Sequence, residues 1–256
     1  MSKLVVGNLK MNIISVIERK NYFKSFNDIS KKLKASNVKV VLCPPAIHLE
    51  SFVNKIKNGQ IDFGAQNVYF KNKGAYTGEI SPVMVKNFGG NYVIIGHSER
   101  RRYFKEKNGD INKKIVMSLK SKLSPILCIG ETRKEREEGK LKKIISNQLK
   151  EGLNKISKKN ISNTVIAYEP IWAIGAGKSP TADNIMEVQI LIKKILVDTF
   201  SIKINKMPKI LYGGSVNYRN IEEVCLSAGM DGVLVGGESL HPVDFLKIVE
   251  NINKNN

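Results

Sequence analysis

The chain has 256 residues, of which 42% are hydrophobic and 25% are charged, and its formal net charge is +19. This length suits one large domain over residues 1–256, since α/β barrels run to roughly 250 residues. No secretory signal precedes the first apolar run, and no apolar run is long enough to cross a bilayer. We therefore expect a cytoplasmic protein with no membrane partner.

The positive charge comes mostly from lysines that are spread over every predicted helix, and only residues 100–102 form a tight arginine cluster. A strongly basic chain can bind nucleic acid. The scattered pattern favours compositional bias instead, so we expect no nucleic-acid partner, although the charge would attract a small anionic substrate. Cys43, Cys128 and Cys225 lie in apolar segments without metal-like spacing, which predicts buried free thiols and no metal site.

Short apolar runs, rich in Val, Ile and Leu, recur along the chain without strict alternation. This pattern is typical of parallel strands buried on both faces. In chain order the runs cover residues 4–9, 38–43, 61–65, 92–96, 125–129, 164–168, 209–212 and 232–235. Segments with helical periodicity lie between them, among them 17–33, 111–122, 135–156, 182–200 and 242–252. Ser81 and Thr181 are expected to precede helices, and Pro242 to begin one.

Strands that alternate with helices in this way predict an α/β fold, a closed (β/α)8 barrel. The alternative is an open, doubly wound sheet. The eight similar units, and the lack of a G-x-G-x-x-G motif, favour the barrel.

Residues that could take part in catalysis follow several of the predicted strands. Barrel enzymes carry their active sites at these strand ends. Glu169 follows the sixth strand and precedes a Gly-rich loop. If this loop closes over the carboxylate, it would shield a catalytic base from water. His97 follows the fourth strand and precedes Ser98, which would open a helix. The dipole of that helix disfavours the imidazolium, so His97 would be neutral and could donate a hydrogen bond to a carbonyl.

Lys10 follows the first strand two residues after Asn8, and both side chains would face one side of an extended segment. Lys10 could be an ordinary surface lysine, and the competing role is that of a Schiff-base nucleophile. Glu99 could pair with Lys10 and fix its position.

Gly-rich turns follow the seventh and eighth strands, which is the usual phosphate site of barrels. Backbone N–H groups reach a phosphate only where no side chain intervenes. The candidates for phosphate binding are Gly175, Ser215, Gly236 and Gly237.

Eight motifs together carry a resemblance that runs over about residues 4–252. They are Gly-Asn-Leu-Lys-Met-Asn (7–12), Gly-Ala-Gln-Asn-Val (64–68), Gly-Ala-Tyr-Thr-Gly-Glu-Ile-Ser (74–81), Gly-His-Ser-Glu-Arg-Arg (96–101), Cys-Ile-Gly-Glu-Thr (128–132), Ala-Tyr-Glu-Pro-Ile-Trp-Ala-Ile-Gly (167–175), Tyr-Gly-Gly-Ser-Val (212–216) and Val-Gly-Gly-Glu-Ser-Leu (235–240). With these motifs the chain closely resembles the triosephosphate isomerase family.

The resemblance implies a TIM barrel that interconverts dihydroxyacetone phosphate and D-glyceraldehyde 3-phosphate through an enediolate, with no metal or organic cofactor. The family's known roles would make Glu169 the base and His97 the electrophile, with Lys10 and Asn8 stabilising the developing charge. Asn8 and Lys10 would also contact substrate, together with the four phosphate candidates. The implied supporting residues are Ser98, Glu99, Thr77 and Cys128.

The resemblance also implies a homodimer through residues 72–81, with Thr77 reaching the partner's active site. The chain departs from the family at Ala176 and Pro180 in the loop after Glu169, and at Glu238 in the last Gly-rich turn. The competing interpretations are another phosphosugar isomerase or a Schiff-base aldolase on the same barrel, and a protein that binds nucleic acid or an anionic surface.

Overall fold

Eight parallel strands close into a barrel in a computed structural model of the chain, which describes residues 2–31, 37–56, 59–173 and 180–255. Each strand pairs with the next along the chain, and β8 pairs with β1 to close the ring. The strands are β1 (Lys3–Asn8), β2 (Val38–Cys43), β3 (Ile61–Ala65), β4 (Tyr92–Ile95), β5 (Ser124–Ile129), β6 (Val165–Tyr168), β7 (Lys209–Tyr212) and β8 (Gly232–Val235). The predicted (β/α)8 barrel is confirmed.

Helices connect most of the strands. They are α1 (Val16–Ser30), α2 (Leu49–Lys55), α3 (Pro82–Asn87), α4 (Ser98–Tyr103), α5 (Asn108–Lys120), α6 (Arg133–Glu137), α7 (Leu141–Gly152), α8 (Lys158–Ser162), α9 (Ala182–Phe200) and α10 (Pro242–Lys254). A π-helical segment, Glu222–Ser227, lies between β7 and β8. The side chains of Ser81 and Thr181 accept hydrogen bonds from backbone N–H groups three residues on, and Pro242 opens α10, so these predicted helix starts are confirmed.

One helix prediction is wrong. Residues 135–156 were expected to form a single helix, but the segment is divided into the end of α6 and the separate α7. Gly139 lies between them with a φ of 66°, a left-handed conformation that glycine adopts readily and that ends the first helix.

The strands are apolar on both faces because each face is buried in a different core. Leu4 and Val6 of β1 point into the barrel, while Val5 packs in the layer between barrel and helices. At Gly232 the backbone of β8 approaches β1 so closely that a Cβ would lie 1.8 Å from the Leu4 carbonyl oxygen. No helix in the described ranges is long and apolar enough to span a membrane.

Candidate active site

A cavity of about 320 Å3 opens where the strands end. Its walls contain the predicted residues Asn8, Lys10, His97, Glu169, Ser215, Gly236 and Gly237. Residues from the ends of five strands, distant in sequence, are thus brought together. Gly175, the remaining phosphate candidate, lies outside the described residues, as does Ala176.

Glu169 follows β6 and is only 2% exposed. Its Oε2 accepts a hydrogen bond of 2.9 Å from the backbone N–H of Ser98 at the start of α4. Its Oε1 lies 3.1 Å from Nε2 of His97 but makes no hydrogen bond to any residue in the described ranges. One oxygen therefore fixes the carboxylate, and the other is buried beside His97 without a hydrogen-bond partner in the described ranges.

Two residues, Cys128 at the end of β5 and Gly130 in the turn after it, pack against Glu169. A Cβ at Gly130 would lie 1.8 Å from the Glu169 carbonyl oxygen, so only glycine permits this approach of the two chains. Burial raises the pKa of the Cys128 thiol well above its usual value, and the nearby Glu169 carboxylate raises it further. The thiol therefore stays protonated and can donate to that carboxylate.

The His97 ring is oriented by the first turn of α4. Its Nδ1 accepts a hydrogen bond of 3.3 Å from the backbone N–H of Glu99. Because Nδ1 is an acceptor in this geometry, the proton of the neutral ring is assigned to Nε2, the nitrogen nearest Glu169. His97 can thus donate a hydrogen bond from Nε2 into the cavity.

Lys10 lies on the cavity wall, but not in the extended segment that was expected. Its φ of 51° is left-handed, and its backbone N–H donates to the Asn8 side chain at 3.1 Å. The Gln66 side chain donates to the Lys10 carbonyl at 2.8 Å. A turn, rather than strand alternation, therefore places Lys10 in the cavity, where its Nζ is 2.6 Å from Oε1 of Glu99.

The opposite end of the cavity is formed by the turns after β7 and β8. Gly236 precedes a short 3-10 helix, Gly237–Leu240, and both glycines line this end of the cavity. The Ser215 hydroxyl donates to the Ala173 carbonyl at 2.9 Å, which links this end to the segment after Glu169. Glu238 lines the cavity as well.

Sequence reasoning assigned no role to a buried carboxylate beside this segment. Glu131 follows β5 and is 0% exposed, and its Oε1 accepts from Nε1 of Trp172 at 2.8 Å and from NH1 of Arg136 at 3.0 Å. Its place after a barrel strand, within the motif at residues 128–132, was the available signal. In the described part of the chain, no group of three His, Cys, Asp or Glu residues could hold a metal ion.

Cavities in this position are where barrel enzymes carry out their chemistry, so fold and site define an enzyme of the (β/α)8-barrel class. The triosephosphate isomerase family matches residues 3–252. The chain is similar to a triosephosphate isomerase of Dictyoglomus thermophilum, with 44% identity over 97% of this chain and 98% of the relative. It is also similar to that of Thermoanaerobacter pseudethanolicus, with 43% identity over 96% and 98%. The chain belongs to the triosephosphate isomerase family.

Proposed function

We propose that Glu169 and His97 carry out the proton transfers by which this chain interconverts dihydroxyacetone phosphate and D-glyceraldehyde 3-phosphate. The reaction is that of the family, an intramolecular oxidoreduction of an aldose and a ketose. The observation that carries the assignment is the pair of buried groups on the cavity wall, a carboxylate oxygen free of hydrogen bonds to described residues and an imidazole Nε2, 3.1 Å apart.

In the proposed mechanism Oε1 of Glu169 takes the proton from the carbon next to the carbonyl and returns it to the neighbouring carbon. Nε2–H of His97 donates to the carbonyl oxygen, which makes that proton acidic, and then moves a proton between the two oxygens of the enediolate. Burial of Glu169 and His97 shields these two proton-transfer groups from bulk water. These residue roles are the ones established for the family.

Lys10 is proposed to stabilise the negative charge of the enediolate and of the phosphate, with the Asn8 side chain as a neighbouring hydrogen-bond donor. The ion pair with Glu99 supports this role over that of a Schiff-base lysine, because a Schiff base forms from the neutral amine. Ser215, Gly236, Gly237 and Gly175 are proposed to bind the phosphate, with Gly175 resting on the sequence alone.

A coupled assay for isomerisation of glyceraldehyde 3-phosphate tests this function directly. Borohydride added with substrate separates it from the aldolase alternative, since only a Schiff base is trapped as a covalent adduct. We expect isomerisation without an adduct. An adduct on Lys10 together with aldol cleavage would establish the alternative.

We also propose a homodimer that forms through residues 72–81. Residues 72–79 of this loop are exposed, and exposed large apolar side chains line the two cavities that Ile80 of the loop also borders: Met11, Ile47, Met84, Phe88, Tyr103 and Phe104. Exposed apolar surface beside a loop is typical of a protein–protein interaction site. It favours an interface with a second copy of the chain.

A second cavity, of about 680 Å3, adjoins the active site on the same side of the barrel. Lys10, His97 and Glu99 reach it from the active site, and Tyr103 and Phe104 form an apolar wall. Its size and position suit a loop tip from a partner, which supports the proposal that Thr77 approaches the partner's Lys10. We also propose that the chain forms a single domain and that the protein is cytoplasmic.

A further inference from the structure

A partly buried cluster links the segment after Glu169 to the end of β5. Oε1 of Glu131 accepts three hydrogen bonds, from Trp172 Nε1 at 2.8 Å, Arg136 NH1 at 3.0 Å and the Tyr168 hydroxyl at 3.1 Å. The guanidinium of Arg136 also lies over the indole of Trp172, 4.9 Å from its centroid. These four side chains form the Glu131 cluster.

The backbone next to the cluster is coupled to Glu169. The N–H of Glu169 donates to the Ile129 carbonyl at 2.7 Å, and the N–H of Ile171 donates to the Glu131 carbonyl at 3.1 Å. These bonds join the turn after β5 to the peptides on both sides of the base. A shift of Glu131 or Trp172 would therefore displace the base itself.

The Glu131 carboxylate can stay buried only if a positive charge compensates it. It is fully buried, and its Oε2 has no hydrogen bond to a residue of the described ranges. Within those ranges, Arg136 provides the cation at ion-pair distance. Without Arg136 the Glu131 carboxylate would be an uncompensated buried charge. We expect the carboxylate then to move toward water, because burial of an unpaired charge is unfavourable.

Arg136 is held in position by its own helix. α6 starts at a capping box, in which the Thr132 side chain and the Glu135 side chain each bond the other's backbone N–H. The Arg136 side chain is 26% exposed, so its guanidinium is largely removed from bulk water. Arg133, on the same short helix, is exposed to solvent and offers a matched comparison.

We propose that Arg136 is a positioning residue for the isomerase reaction: it compensates Glu131, packs on Trp172 and thereby fixes the segment that carries Glu169. It is not among the described residues that line the cavity. The inference rests on the proposed role of Glu169 as base.

The test compares Arg136→Gln with Arg133→Gln, which removes the same charge from the same helix. Arg136→Gln should lower kcat by about 10- to 100-fold, because ~1 Å of misplacement can cost ~100-fold, with a smaller change in KM. Arg133→Gln should leave both unchanged. Arg136→Lys keeps the charge but loses the planar stack on the indole, so it should restore part of the activity.

Fluorescence gives a readout that does not depend on activity. Trp172 is the only tryptophan of the chain, so its emission reports this cluster alone. Emission should move to longer wavelength in Arg136→Gln, as the indole becomes more exposed, and stay unchanged in Arg133→Gln. In a Glu131→Gln background the loss caused by Arg136→Gln should shrink, because the buried charge is gone.

Wild-type kcat and emission in Arg136→Gln would overturn the inference. Equal losses in both arginine variants would also overturn it, because they would reflect net charge. If Arg136→Gln does not fold, Arg136→Lys against Arg133→Lys tests the stack on the indole instead, and wild-type kcat and emission in Arg136→Lys would then overturn the inference. If the proposed function itself fails, wild-type protein and Arg133→Gln lack isomerase activity, while the emission shift remains measurable.

Discussion

At the scale of single residues, the site depends on backbone geometry as much as on side-chain type. Lys10 enters the cavity because its backbone adopts a left-handed conformation, which costs a non-glycine residue roughly 1 kcal/mol or more. Hydrogen bonds with Asn8 and Gln66 offset that cost. Asn8 therefore positions Lys10 in addition to any contact that it makes with substrate.

Lys10→Ala should nearly abolish isomerisation while leaving the fold intact. The Lys10–Glu99 pair is 31% and 43% exposed, and such pairs contribute ~1 kcal/mol or less to the free energy of unfolding. Steady-state kinetics and urea unfolding of Lys10→Ala, with the exposed Lys20→Ala as control, measure the two effects separately. Added alkylammonium should restore some activity. Wild-type kcat/KM in Lys10→Ala would show that the substrate charge is neutralised by other groups.

The sequence allowed Glu169, His97 and the Gly-rich turns to be placed at strand ends, because chain order and burial pattern fix where barrel strands stop. The turn at Lys10 could not be predicted from the sequence, because a lysine with a left-handed backbone has no distinctive sequence signal. Nor could the Glu131–Trp172 contact, which joins residues 41 positions apart. Such contacts follow from packing of the whole barrel.

At the scale of elements, periodicity predicted strands and capped helices well and predicted helix breaks poorly. The bounds of α9 follow from Thr181 at one end and the left-handed Ser201 at the other. The break between α6 and α7 was missed because Gly139 is tolerated within a helical pattern at a cost of only ~1 kcal/mol. Loops carry still less periodic signal, so the role of residues 72–81 came from resemblance alone.

Shortening the tip of loop 72–81 should yield monomers with weak activity, because the tip would no longer enter the partner's 680 Å3 cavity. Thr77→Ala is the milder change and should lower activity while the dimer persists. Sedimentation velocity at micromolar concentration, combined with the coupled assay, measures both. A wild-type chain that is monomeric and fully active under these conditions would contradict the proposed interface.

At the scale of the whole molecule, the three cysteines lie in the apolar layers as predicted, and all are buried free thiols. Burial raises the pKa of Cys43 and of Cys128, and raises that of Cys225 to about 11. A thiol in the unfolded chain has a pKa of about 8.5. The folded protein therefore holds protons that the unfolded chain releases at alkaline pH.

The free energy of unfolding should fall as pH rises above about 8.5, by up to ~1.4 kcal/mol per pH unit for each buried thiol. The sign follows because the unfolded state binds fewer protons there. Cys225→Ser removes one of these groups, so its stability should fall less steeply between pH 9 and the Cys225 pKa of about 11. Urea unfolding across this pH range measures how steeply the free energy of unfolding falls in the wild type and in Cys225→Ser. Identical slopes for the two proteins would show that Cys225 ionises equally in the folded and unfolded states.

The proposed chemistry rests on one buried carboxylate, and Glu169→Gln tests it most directly. The amide keeps the shape of the side chain, and its oxygen can still accept from the Ser98 N–H, but it cannot take a proton from carbon. General bases contribute about 10²- to 10⁴-fold. We predict that Glu169→Gln lowers kcat about 1,000-fold in the coupled assay, while its affinity for phosphoglycolate, a mimic of the enediolate, shows that the cavity is intact. A variant that binds phosphoglycolate and retains kcat within tenfold of wild type would contradict the assignment of Glu169 as the base.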